Sequence, residues 1–206
     1  MKLLDKLTSK ERLELKSGVI EVYGKHMNRT ALGVVDAIFK LYPSITFDEL
    51  KQLLPDSINP SAPKNFKSLF KPYTEKPYGV IQSGAIRSEY EKEGLDLNAS
   101  HFISAGETFQ TIDGVEVLVS KAWESNDTET GEHDLQNLIN HVAQYGIKVV
   151  SFEAKDQQFT KGGYFLKIIQ PLLLKKLITP KSNKFPWWMI VLLAVVIGAV
   201  FYFLKK

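Results

Sequence analysis

The chain has 206 residues, 44% hydrophobic and 24% charged, with no cysteine and a formal net charge of +3. The absence of cysteine excludes a disulfide-stapled fold, a thiolate zinc or iron–sulfur site and a cysteine nucleophile, and a complement of 12 Phe, 8 Tyr and 3 Trp excludes wholesale disorder. The length suits one globular domain plus an extra element.

Residues 3–16 set Leu3, Leu4, Leu7, Leu13 and Leu15 among charges and predict an amphipathic helix. The same run has no apolar core and does not read as a signal peptide. Val19–Tyr23 predicts a strand ended by Gly24. Asn28 and Thr30 offer caps for a helix over 30–42 with a broad apolar face, stopped by Pro43. Thr46-Phe-Asp-Glu49 is a capping box opening a short helix over 46–54. A Pro-rich stretch follows, in which Lys64, Lys67 and Lys71 alternate with Phe66, Phe70 and Tyr73. Lys64, Lys67, Phe70 and Lys71 are candidate contacts to a single nucleic-acid strand, through charge and stacking, or to a protein partner. A loop that drapes its aromatics on the core and leaves its lysines in water is the favoured reading.

Strand patterns then take over. Tyr78–Gln82 and His101–Ser104 predict short strands. The clearest signal is ETFQTIDGVEVLVSKAW, two runs joined by Asp113-Gly114 with the positive φ a two-residue hairpin turn needs. Phe109, Thr111, Val115, Val117 and Val119 form its apolar face, against Gln110, Glu116 and Leu118. Leu135–Tyr145 predicts a helix closed by Gly146, and Ile147–Phe152 a last strand. Helices first and strands later, without regular βαβ alternation, predict an α+β domain with an antiparallel sheet over residues 1–154. The helix pair 30–42 and 46–54 followed by a hairpin outlines a winged helix-turn-helix, without the basic recognition helix that DNA reading requires.

The string TIDGVEVLVSKAW followed by LINHVAQYGIKV resembles a poorly characterised bacterial α+β module, in which a D-G hairpin ending near Trp leads to a helix and a strand. That module sometimes stands beside restriction or phage-defence functions, and the likeness spans roughly residues 19–152. It implies a bacterial accessory or sensor module and brings no catalytic residue. Here Lys121-Ala122-Trp123 and an acidic insertion replace the usual N-Q-W ending.

Catalytic patterns are sparse. No G-x-S-x-G, P-loop, G-x-G-x-x-G or H-E-x-x-H occurs. His133 and His141, eight residues apart with Glu132 and Asp134 adjacent, are a weak metal pairing, and Asp113, Glu116 and Lys121 faintly echo a restriction-type nuclease. The expectation is a protein that binds rather than catalyses, with no cofactor and no metal.

Charge is divided along the chain. Residues 1–154 carry a net −5, and Lys155–Lys184 hold seven lysines against Asp156 alone. The acidic balance of the domain argues against nucleic acid as its main partner. Residues 155–184 are expected to form a basic juxtamembrane helix bent at Pro171, or the last helix of the domain, and then a hinge. Lys175, Lys176, Lys181 and Lys184 are the expected contacts to anionic headgroups of the inner leaflet.

From Phe185 to Leu204 runs FPWWMIVLLAVVIGAVFYFL, twenty residues without a charge. At about 1.5 Å per residue it covers the roughly 30 Å hydrocarbon core. Trp187 and Trp188 at one end and Tyr202 at the other suit the two headgroup levels, and Lys205 and Lys206 can snorkel beyond. The expectation is a single-pass tail anchor in the inner (plasma) membrane with the N-terminal domain cytoplasmic, since the larger positive side flanks the span on that side. Three functions follow: a tethered adaptor or sensor with a protein partner, a membrane-active defence effector that oligomerises through the Ala194/Gly198 small-residue face, or a membrane-tethered nucleic-acid-binding protein acting through residues 64–76.

Overall fold

In a computed structural model the described residues are 8–59, 79–86, 88, 92, 107–121, 123, 134–151, 159 and 162–178. They form an α+β domain with two small sheets: α1 (Ser9–Lys16), β1 (Ile20–Gly24), α2 (Met27–Leu41), α3 (Phe47–Leu53), a 3-10 turn (Asp56–Ile58), β2 (Ile81–Ser83), β3 (Phe109–Gln110), β4 (Glu116–Val119), α4 (Asp134–Ala143), β5 (Ile147–Ser151), β6 (Tyr164–Ile168) and α5 (Pro171–Ile178).

The first sheet has the order β5-β1-β6. β1 pairs parallel with β5 (Ile20 opposite Ile147) and antiparallel with β6 (Ile20 opposite Ile168). The alternation along β1 puts Ile20, Val22 and Gly24 inside and leaves Glu21 and Tyr23 half-buried on the outer face. α2 covers the inner face. Its Thr30, Ala31, Leu32, Gly33, Val34, Val35, Ala37, Ile38 and Leu41 are all buried, more than one stripe can supply, because the helix is enclosed on several sides. Gly33 makes that packing possible: a Cβ there would come within 2.9 Å of both Val22 and the Tyr164 ring. The second sheet, β2-β4-β3, joins the same core through Val80, Ile81, Val117 and Val119, and Phe109 stacks on Phe39 of α2 at 5.1 Å.

Several expectations hold. Thr46 caps α3 in a reciprocal box with Glu49. Gly146, at φ 83°, closes the turn after α4. Others are corrected. α2 begins at Met27, and Thr30 does not cap it; its hydroxyl donates to the His26 carbonyl inside the first turn. The hairpin turn is not a two-residue loop. The Gly114 N–H bonds Thr111 O at 3.0 Å and only Gly114 has positive φ, so the turn spans Thr111–Gly114 and Asp113 keeps ordinary backbone geometry. Leu118, expected on the polar side of the alternation, is fully buried like Val117 and Val119 on the opposite face, so β4 is covered on both faces.

The sheet is not purely antiparallel, since β1 and β5 run parallel. The hairpin does meet both helices of the pair, Phe109 on Phe39 and Asp113 on the Phe47 N–H, while β1 belongs to the other sheet. The stretch expected to be helical from 155 onward contains strand β6, whose five residues pair along all of β1. Pro171 does not bend a longer helix but opens α5 at its first position, where a missing N–H costs nothing. Residues 164–178 are therefore part of the folded unit. The expected strand over 101–104 lies outside the described residues.

Candidate functional site

The site is built at the end of the first sheet where α1, β6 and α5 meet. α1 is short, and a capping box holds its start: Glu11 N–H donates to Thr8 Oγ1, and Thr8 N–H donates to the Glu11 carboxylate at 2.7 Å. Only Leu15 of this helix is buried. The α1–β1 joint is sewn to the β6–α5 joint by Gln170. Its side-chain amide donates to Gly18 O and Ser17 Oγ, both at 2.6 Å, and Ile169 N–H donates to Val19 O at 2.9 Å.

α5 lies on the core through Leu173, Leu174 and Leu177. Three consecutive leucines cannot all face inward on a helix that turns 100° per residue. Leu172 is accordingly 83% exposed, with Lys175 and Ile178 also outward. On α1, Leu13 is 70% exposed. Glu14, Ile169, Gln170, Pro171, Leu172 and Leu173 line an open groove of about 450 Å³ where the end of α1 meets the start of α5.

Beside this end, the outer face of the sheet carries a charged and aromatic array. Glu21 sits between Lys148 (3.4 Å) and Lys167 (3.6 Å), and the Tyr23 hydroxyl donates to it at 2.9 Å. Tyr23 stacks on Phe165 with ring centres 4.4 Å apart, and Phe159 tilts against Phe165. The Tyr23 hydrogen bond first, then the two lysines, hold the Glu21 carboxyl below its usual range against an opposing effect of burial. A carboxyl depressed in the folded state stabilises the fold above its ordinary titration range, and that contribution is lost as pH falls through the folded value. Glu21→Gln is expected to flatten the acid side of the stability profile, read as a smaller drop in thermal midpoint on acidification than the unaltered chain shows.

A second polar cluster clamps α2. The Tyr164 hydroxyl donates to Asp36 at 3.0 Å, Lys40 pairs with the other Asp36 oxygen at 3.0 Å, and Arg29 pairs with Glu107 at 2.5 Å. Burial first, then the Asp36 charge, pushes the Tyr164 phenol well above its ordinary value, so it remains a hydrogen-bond donor. These contacts fasten elements together and present no nucleophile with a base beside it.

Of the residues expected to contact headgroups, Lys175 lies exposed on α5, and Lys176 is on the same helix. Lys181 and Lys184 lie outside the described residues, as do Phe185, Trp187, Trp188, Gly198, Tyr202, Leu204, Lys205 and Lys206. No helix among the described residues is long and apolar enough to cross a membrane. Lys64, Lys67, Phe70 and Lys71 are also outside them.

The faint nuclease series is not assembled. Asp113 accepts the Phe47 N–H at the start of α3, and the length of β4 separates it from Lys121. His141 meets the Leu53 carbonyl at 2.7 Å, and His133 is outside the described residues. Among the described residues no three His, Asp or Glu gather as a metal site.

Sequence reasoning missed the exposure of Leu13 and Leu172 and the Gln170 clasp. The Leu172-Leu173-Leu174 triplet was the available signal. No protein-family model, no curated protein and no solved structure shows significant similarity to the chain.

Proposed function

We propose that the chain is a membrane-anchored binding module, its α+β domain held at the cytoplasmic face of the inner membrane by residues 185–204 and recruiting a protein partner rather than catalysing a reaction. One observation carries this reading: twenty uncharged residues, framed by Trp187 and Trp188 and by Lys205 and Lys206, begin six residues beyond a helix already packed on the domain. The lysines before that stretch outnumber those after it, which favours keeping the domain on the cytoplasmic side.

The test is carbonate extraction of membranes from cells making the full chain, with protease added to sealed inverted vesicles. Retention in the pellet with digestion of the domain supports the reading. Release by carbonate overturns it.

The Ala194-x-x-x-Gly198 spacing favours a second reading, an effector that oligomerises through the span. A large defined oligomer in detergent, dispersed by Gly198→Ile, would select it over the adaptor.

A further inference from the structure

We infer that the α1–α5 end of the domain lies flat against an anionic phospholipid surface, seating Leu13 and Leu172 at the headgroup boundary; this rests on the anchoring by residues 185–204 proposed above.

Three observations converge on it. The first is exposure. Leu172 at 83% and Leu13 at 70% are the two most exposed large apolar side chains among the described residues, and both belong to this one end. Gln170 ties the α1 exit, one turn from Leu13, to the start of α5, one residue before Pro171. The pair therefore sits on a fixed scaffold rather than on a loose segment. On α1 the buried Leu15 and the outward Leu13 are two residues apart, so they point to nearly opposite sides of the helix.

The second is charge. α1 and α5 together carry Lys10, Arg12, Lys16, Lys175 and Lys176 against Glu11 and Glu14. The Glu11 carboxylate is occupied by the Thr8 cap, and Glu14 faces Lys10 at 3.9 Å. Lys10 is 87% exposed, and Lys16 and Lys175 are exposed. Apolar side chains ringed by lysines are what an interfacial helix presents to anionic lipid.

The third is reach. Residues 179–184 separate α5 from the uncharged stretch, and six residues extend at most about 22 Å. That leash is comparable to the roughly 15 Å radius of gyration of a body of this size. An anchored domain on so short a leash holds the end bearing α5 at the bilayer and its opposite end away from it.

The native chain has no cysteine, so single cysteines can be placed at will. Leu13→Cys and Leu172→Cys test the face. Lys25→Cys is the control, exposed at the far end of β1 beside Gly163, about 16 Å along the strand. Val195→Cys reports the anchor. Each full-length variant is labelled with an environment-sensitive fluorophore and reconstituted in phosphatidylglycerol–phosphatidylethanolamine vesicles carrying lipid spin-labelled at the headgroup or mid-chain.

The expected result is several-fold stronger headgroup-level quenching at 13 and 172 than at 25, reduced by high salt or by replacing the anionic lipid with phosphatidylcholine. Quenching at 195 with 13 and 172 no more quenched than 25 overturns the docking and leaves the anchor standing. A blue shift at 13 and 172 without lipid quenching also overturns it, since a protein surface then covers them. No mid-chain quenching at 195 overturns the anchor, and this inference with it.

Discussion

Replacing Ile38 by alanine is expected to cost about 2–5 kcal/mol of folding stability, the range for truncating a large buried aliphatic side chain. Ile38 is fully buried in α2, the helix enclosed by the first sheet and the hairpin sheet, so little surrounding structure is free to collapse into the space. Against a typical total of about 5–15 kcal/mol, that loss moves the urea midpoint of the full chain in mild detergent by a large fraction. Leu13→Ala is the matched control. Leu13 is 70% exposed, and its truncation is expected to stay within about 0.5 kcal/mol. Equal shifts for the two variants would mean that α2 does not form the centre of the core.

The second large effect concerns residues 185–204. Val195→Arg combined with Val196→Arg puts two guanidinium groups at the middle of the uncharged stretch. Each costs about 2.5–3.5 kcal/mol at a helix centre, so the pair is expected to remove most of the chain from the carbonate-resistant pellet. Val195→Leu with Val196→Leu keeps the hydropathy and should leave the pellet fraction unchanged. A double-arginine chain that still resists carbonate would show that this stretch does not hold the protein in the bilayer.

What could be read from the residues was the local part of the structure. The Thr46–Glu49 box, the wide apolar face of α2 and Gly146 after α4 are each settled by neighbours within a few positions, and each appears as expected. What could not be read depended on partners far away in the chain. Tyr164–Ile168 has apolar residues on both faces and no clear period; it becomes a strand because β1, some 140 residues earlier, offers it an edge. Leu118 is buried because β4 is covered on both faces, which the alternation of its own residues does not announce. Asp113 fits its turn on sequence grounds, yet its carboxylate also accepts the Phe47 N–H, 66 positions upstream, and so ties the hairpin tip to α3. At the α1–α5 end, helical periodicity and the leucine triplet were visible, while the meeting of the α1 exit with the start of α5 needed the β1–β6 pairing that brings them together.

The order β5-β1-β6 also sets a timetable for the growing chain. β1 ends at Gly24, and neither neighbour exists until Ile147 and then Tyr164 have been added. At about 5–20 residues per second, β1 waits roughly 6–25 s on the ribosome with both edges unsatisfied. A strand in that position is open to pairing with the wrong chain, and a charged side chain such as Glu21 within it is a usual defence. Nascent chains of this protein are thus exposed to misassembly through their first strand, long before the sheet that protects it can close.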